Sequence, residues 1–272
     1  MNDVILYSGG LDSFLVHHAL NRDNIQHSLL YFDLGGKYSE NEVSLFQSNE
    51  FKYSIGQEVE ISKCLNMGVL EHDDAYIPNR NIVAAIMAHS VCGYDNIWIG
   101  GTLSDRVNDN NSEVFLRISD LLSHVHGKKI TITSPFWNDH KCQLVKDFVD
   151  TNGWNQYDSR IAAQQALINS TFSCYYPNET KIVTACIDST KYHAYYTKEC
   201  LNCPACFRKV MSLFNGGIFI PMKFEALPLI SKYTKEAIDY INADNDGIMK
   251  PRMEATIQYE EAFRNLVMDE KV

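Results

Sequence analysis

The amino-acid sequence predicts an α/β protein: a doubly wound parallel sheet, then an irregular cysteine-stapled module and a helical C-terminal tail. Three observations lead there. Up to about residue 150 short apolar runs alternate with longer amphipathic ones, the signature of right-handed βαβ crossovers. From Ser170 to Cys206 the chain turns to Tyr, Asn, Thr and Cys without a sustained apolar period, so that stretch needs a staple other than a core. Past Gly216-Gly217 helical patterns return. The expected division is an α/β domain over 1–160 and the cysteine module with its helices over 161–272.

Taken in order, Val4-Ile5-Leu6-Tyr7 reads as a buried strand. Gly9-Gly10 breaks it before a helix over 12–21, which carries Phe14, Leu15, His18 and Ala19 on one face. A second strand spans 28–32, a helix 40–51, and a more alternating strand falls within 52–61. Residues 79–92 set Ile82, Val83, Ile86 and Met87 at helical spacing, and Ile97-Trp98-Ile99 is a strand ending on Gly100-Gly101. A helix over 116–125, a strand over 130–133 and a helix over 140–151 complete the alternation; helices over 205–214, 232–243 and 253–268 follow. Ligands of such sheets bind beyond the carboxyl ends of the strands, which singles out residues 8–13, 33–38, 100–106 and 134–141.

Composition narrows the class. The 272 residues are 45% hydrophobic and 21% charged, which excludes collagen-like, coiled-coil and disordered chains. No apolar run reaches the ~18 residues of a membrane span. The opening Met1-Asn2-Asp3 carries no basic leader, so a cytoplasmic location is expected. With 34 acidic and 24 basic residues the net charge is −10, which disfavours a general surface for bulk nucleic acid. Eight cysteines without an export signal suit a reducing compartment, where clustered thiols are more often metal ligands than disulfides.

Ser8-Gly9-Gly10-Leu11-Asp12-Ser13 lies between a buried strand and a helix start. Two glycines allow a tight turn and close backbone approach, the helix start adds partial positive charge, and Ser8 and Ser13 add hydroxyls. This is an anion nest suited to phosphate or pyrophosphate. It is neither a Walker loop nor Gly-x-Gly-x-x-Gly. The competing reading is a plain turn in which Asp12 caps the helix.

Cys200, Cys203 and Cys206 are spaced by two residues, as a zinc knuckle requires; Cys174, Cys186 or His193 could close the tetrahedron. Arg208 and Lys209 would offset the charge of a tetrathiolate. Such a closed site is structural. Other paired residues are expected to be unremarkable: His17-His18 diverge on a helix, His124 and His126 face solvent, and Glu260-Glu261 lie on a solvated face.

The glycine string resembles the SGGxDS signature of the PP-loop ATP pyrophosphatases. Within that group the chain is similar to the QueC type, the 7-cyano-7-deazaguanine synthases. Four segments carry the likeness in order: the glycine string; Tyr76-Ile77-Pro78-Asn79-Arg80-Asn81; Ser134-Pro135-Phe136 with Lys141; and Ser173-Cys174-Tyr175 followed by Cys200, Cys203 and Cys206. The resemblance covers about residues 3 to 214. It implies a PP-loop/HUP-type sheet, a zinc site closed by Cys174, and an ATP- and Mg²⁺-dependent ligase acting on 7-carboxy-7-deazaguanine and ammonia. ATP would meet Ser8, Gly9, Gly10, Leu11, Asp12, Ser13, Arg80, Asn81 and Gly100. Gly35, Lys37, Asp105, Glu113 and Phe115 fall on the substrate side, Lys141 and Asp12 are the expected catalytic residues, and a homodimer is implied.

The chain departs from the family on the substrate side. Gly35-Gly36-Lys37 replaces the usual Gly-Gln, and the run from Asp105 to Phe115 lacks the family's Pro and Cys. The Cys174–Cys200 gap is long, Leu201 stands in place of Gly, and about 55 residues follow the cysteine module. These differences leave room for a variant that stops at the amide or joins a deazapurine to another amine, such as a protein terminus. A PP-loop enzyme acting on tRNA is disfavoured by the acidic balance. A catalytically silent nucleotide-binding subunit is disfavoured by the intact Ser8, Asp12 and Ser13.

Overall fold

The computed structural model describes residues 2–37, 39–48, 51–52, 55–63, 65–72, 77–103, 110–174, 181–187, 191–197, 199–243, 247 and 249–269, with backbone alone for 181–187, 191–196 and 268–269. Two compact units emerge. One comprises Met1–His140, Trp154–Gln156 and Ser170–Phe172; the other comprises Lys141–Gly153, Tyr157–Asn169 and Ser173–Val272. After His140 the chain enters the second unit, and it returns to the first at 154–156 and 170–172. The helix after His140 packs in the second unit, where a Cβ on Gly216 would come 2.3 Å from the Val145 side chain.

The first unit holds β1 (Asp3–Leu6), α1 (Leu11–Arg22), β2 (Ser28–Phe32), α2 (Ser39–Gln47), β3 (Val59–Ser62), α3 (Arg80–Ser90), β4 (Asn96–Trp98), α4 (Ser112–His126) and β5 (Thr131–Thr133). The strands run parallel in the order β3-β2-β1-β4-β5. Val4 pairs with Ser28 on one side and Ile97 on the other, so β1 is central. Strand order reverses across β1, and the carboxyl end of β1 is thus the topological switch point where such sheets bind ligands. Val4, Leu30, Ile97, Ile132, Ala85, Ala88 and Phe115 form one apolar cluster under the sheet.

Local chemistry sets the elements. Asn111 caps α4 by accepting the Val114 N–H at 3.0 Å, and Gly127 ends it in the left-handed region at φ 63°. Ser119 and Ser123 of α4 accept the Ile132 and Ile130 N–H groups at 2.8 and 2.9 Å, which closes part of the open edge of β5.

The second unit contains α5 (Lys141–Asp150), α6 (Asn152–Asn155, assigned in part to the first unit), α7 (Arg160–Asn169), β6 (Lys181–Ile187), β7 (Lys191–Thr197), α8 (Pro204–Asn215), β8 (Ile218–Phe219), α9 (Leu227–Asn242) and α10 (Lys250–Asp269). β6 and β7 form an antiparallel hairpin and β8 pairs with β6. The hairpin corrects the aperiodic reading of 170–206. Its Ile, Val, Thr and Tyr content is strand-forming, but the mixed polarity hid the two-residue period. Helix α7 was equally missed.

The tail is anchored by Tyr259, whose hydroxyl donates to the Ile220 carbonyl at 2.8 Å and accepts the Met222 N–H at 2.9 Å. Glu260 does not lie on a solvated face. Its side chain is 12% exposed and accepts hydrogen bonds from Ser231 and Arg264, an arrangement the adjacent acidic pair did not announce.

Helix α1 is buried from Leu11 to Leu20 except Asp12, so both histidines are internal. Their rings do not diverge but meet edge to face at 5.1 Å. His17 Nδ1 lies 2.9 Å from His27 Nε2, and its Nε2 lies 3.2 Å from the Ile55 carbonyl. Burial lowers His17 to about 3 and His18 to about 4. Both fold as neutral rings, whereas the unfolded chain takes up protons below about 6.5. Stability is therefore fully present above pH 6.5 and is expected to fall by up to about 1.4 kcal/mol per pH unit per histidine as pH drops toward 4. Urea unfolding at pH 7 and pH 5 measures this, and His18→Gln should flatten the slope.

Candidate functional site

The end of β1 delivers the chain into the glycine loop. Gly9 adopts φ +72°, and a Cβ there would meet Phe46 Cε1 at 3.0 Å, so both backbone conformation and space call for glycine. The Gly9 carbonyl accepts the Phe172 N–H at 2.8 Å. Ser13 Oγ donates to the Gly10 carbonyl at 3.0 Å and lies 3.4 Å from Ser8 Oγ, while the Gly10 N–H donates to Ser8 Oγ at 3.3 Å. Gly10 is the N-cap of α1 and offers no side-chain cap. The first turn of α1, at Leu11, Asp12 and Ser13, is thus left with amides directed at the loop, an arrangement for an anion. Gly100, after β4, touches this turn: a Cβ on it would lie 2.7 Å from Asp12 Cβ and 3.1 Å from the Ser13 nitrogen.

Beside the loop is a cavity of about 120 Å³ between the carboxyl ends of β1 and β2 and the start of α3. Ser8, Arg80 and Asn81 line it together, as does Gly36. Asn79, at φ 59°, turns the chain so that α3 begins at Arg80. Three of the residues assigned to ATP thus converge on one space.

The substrate-side residues are more dispersed. Gly35, at φ +72°, is pressed against the Asn66 side chain, and the Met67 N–H bonds the Leu34 carbonyl at 2.7 Å. Lys37 is exposed, and its backbone N–H donates to Glu71 Oε2 at 2.7 Å. Glu113, 71% exposed, pairs with Arg117 on the surface of α4. Phe115 is fully buried and stacks on Trp137, so it supports the floor of the first unit and does not line the cavity. Asp105 and Tyr76 lie outside the described residues. Lys141 opens α5 in the second unit.

Sequence reasoning missed Tyr31, Glu42 and Glu71, which also line the cavity. Tyr31 donates to Glu42 Oε2, and desolvation, opposed by Tyr31 and Arg80, raises Glu42 above the ordinary carboxyl range. A tyrosine in a strand and a glutamate in an acidic helix carry no motif.

In the second unit Cys174, Cys200, Cys203 and Cys206 bring their four sulfurs within 4.8 Å of one another, all buried. Cys200 and Cys206 are 3.8 Å apart, matching the ~3.8 Å edge of a tetrahedron with bonds of ~2.3 Å. Backbone N–H groups of Cys200, Asn202 and Cys206 point at Cys174, Cys200 and Cys203 sulfurs at 3.1, 3.3 and 3.5 Å. Leu201, the residue in place of glycine, takes φ 54°. As thiols the group is crowded: the bond with Cys203 leads in pushing Cys174 up to about 12, and Cys174 leads in raising Cys206. A divalent cation reverses that logic, since four converging thiolates are stabilised by its charge. The cluster fits a metal ion. Of the three candidates for the fourth position, Cys174 is the one brought to it among the described side chains.

Residues 52–215, more than half of the chain, match the family described as queuosine biosynthesis protein QueC. The chain belongs to the QueC family. The matched span includes the Arg80 helix start and all four clustered cysteines, whereas the glycine loop lies before it. A 7-cyano-7-deazaguanine synthase from Psychromonas ingrahamii is 21% identical over 245 residues, which cover 82% of this chain and 97% of that protein. A solved structure described as a predicted subunit of a tRNA methyltransferase from Methanocaldococcus jannaschii aligns over 60% of this chain and 92% of its own, with 16% identity and a TM-score of 0.33. Among the described residues no helix is long and apolar enough to cross a membrane.

Beside the QueC cysteines sits a buried ion pair, Lys209 Nζ to Glu199 Oε2 at 3.0 Å, with side chains 2% and 6% exposed. Glu199 Oε1 also accepts the Ser173 N–H at 2.8 Å. Lys209→Met would leave that carboxylate buried without its partner and is expected to cost about 3–5 kcal/mol. Chemical denaturation measures the loss, and the double variant Lys209→Met/Glu199→Gln should recover part of it.

Proposed function

We propose that this QueC-family protein is an ATP-dependent C–N ligase that converts 7-carboxy-7-deazaguanine and ammonia to the amide and then to 7-cyano-7-deazaguanine. The reading is supported above all by the convergence of Ser8, Arg80 and Asn81 on one cavity at the switch point, next to an uncapped helix start. Family membership and the related synthase supply the substrate class.

In this reading the substrate carboxylate attacks the α-phosphorus of ATP and pyrophosphate leaves. Ammonia attacks the acyl carbon, AMP departs and an amide remains. The amide oxygen attacks the α-phosphorus of a second ATP, a second pyrophosphate leaves, and loss of AMP and protons gives the nitrile. The protein's part is to bring anions together and stabilise the departing one. The amides of the first turn of α1, with the Ser8 and Ser13 hydroxyls, would hold the diphosphate; Arg80 and Asn81 would orient the nucleotide. Asp12 and Lys141 are proposed to act at the reacting groups, and Gly35, Lys37 and the segment through Asp105 to border the acid. Mg²⁺ on the phosphates supplies further charge neutralisation. Zinc on Cys174, Cys200, Cys203 and Cys206 would act as a structural cross-link with no open position for substrate.

Incubation with ATP, ammonia and 7-carboxy-7-deazaguanine is expected to release AMP and pyrophosphate, with mass spectrometry detecting the nitrile. Amide alone would show a reaction that stops halfway, and no AMP with no mass change would reject the assignment. Ser13→Ala is expected to lower kcat/KM roughly ten- to hundredfold. Metal analysis should find stoichiometric zinc, lost in Cys203→Ser together with a lower melting temperature of the second unit.

A further inference from the structure

The cavity contains chemistry that the ligase reading leaves unused. Its walls are apolar at Leu30, Phe32, Ile77 and Ala84, which suits the faces of a flat ring. Its volume of about 120 Å³ is well below the ~300–1,000 Å³ of sites that enclose a whole drug-sized ligand, so it takes one ring system with the remainder outside. Beside Ser8, Arg80, Asn81 and Glu71, the lining carries a hydrogen-bonded polar pair: Glu42, projecting from the first turn of α2, and Tyr31, on β2. The Tyr31 hydroxyl donates to Glu42 Oε2, which fixes the carboxyl plane at the cavity wall. Tyr31 itself is 7% exposed and Glu42 is half-buried at the cavity wall, so a ring entering the cavity displaces water from this carboxyl and must supply polar partners in its place.

We propose that Glu42, oriented by Tyr31, is a specificity-determining residue that hydrogen-bonds the exocyclic amine and adjacent ring nitrogen of an aminopyrimidine edge. That edge is borne by two molecules of the proposed reaction, adenine in ATP and the 2-aminopyrimidinone of a deazaguanine acid. A carboxyl accepts from the amine through one oxygen. Toward the neighbouring ring nitrogen it acts as donor when protonated, matching adenine, or as acceptor when ionised, matching the deazaguanine N–H. Desolvation raises Glu42 above the usual carboxyl range, opposed by the Tyr31 hydrogen bond and Arg80. A ring without the amine displaces water from the carboxyl without replacing its hydrogen bonds, a penalty that discriminates more strongly than a change of shape.

The choice of ligands rests on the ligase reading, but the test reads binding and does not require turnover. Calorimetry compares two ligand pairs on the full chain: ATP against purine riboside triphosphate, and 7-carboxy-7-deazaguanine against its 2-desamino analogue. The wild-type protein is expected to prefer the amine-bearing member of one pair by roughly tenfold or more, about 1.4 kcal/mol. Glu42→Met should abolish that preference and leave the other pair unchanged, which also tells which ring occupies the cavity. Tyr31→Phe, which frees the carboxyl without removing it, should reduce the preference only in part. Because each readout is a ratio within one variant, general destabilisation cancels. If Glu42→Met does not fold, Tyr31→Phe alone decides. Full discrimination by the variant in both pairs, or none by the wild type in either, overturns the proposal. Intact discrimination without AMP release would sink the ligase reading and leave the role of Glu42 standing.

Discussion

Everything in the first unit depends on β1 being paired on both sides. Its backbone is held by β2 and β4, and the ladder continues past the strand end, where the Tyr7 N–H donates to the Leu30 carbonyl at 2.8 Å. The chain leaves that frame at Ser8 with little freedom. Phe46 lies above Gly9, and Gly100 presses on the first turn of α1, so the loop is bounded from two sides. A loop confined in this way presents its amides without reorganising when an anion arrives, and preorganised donors of this kind are worth more than mobile ones.

The burial of α1 serves the same end. A helix with nine buried residues in its first ten cannot shift without disturbing the core, so its N-terminus is a fixed point for the loop. The cost is chemical: two histidines must remain neutral, held by His27, Ile55 and Gln156. The cavity next to it has the opposite character. It sets apolar residues such as Leu30, Phe32 and Ile77 beside polar ones, among them the bonded Tyr31–Glu42 pair, whose hydrogen bonds a ligand must match.

The second unit solves a different problem. Between α7 and α8 the chain offers little continuous apolar surface, and the four cysteines draw it together from positions 174 to 206. A hairpin fills the long interval between the first and second of them. The buried Lys209–Glu199 pair adds a directional contact next to the sulfurs, so register there is set by both soft donors and a charged bond.

Much of this was legible in the residues. The strand–helix alternation, the glycine string and the two-residue cysteine spacing each reflect local geometry: an apolar period, a conformation open only to glycine, a turn that aims two sulfurs at one point. Cys174 needed the Ser-Cys-Tyr context because nothing local ties it to cysteines 26 or more residues away. What tertiary structure alone decided is which distant side chains share an environment. Tyr31 and Glu42 meet because β2 and α2 fold back on each other, and Phe115 is core because Trp137 covers it. Glu260 is shielded because α9 lies against α10. Burial and partnership depend on chain segments brought together through space, so no spacing along the sequence records them.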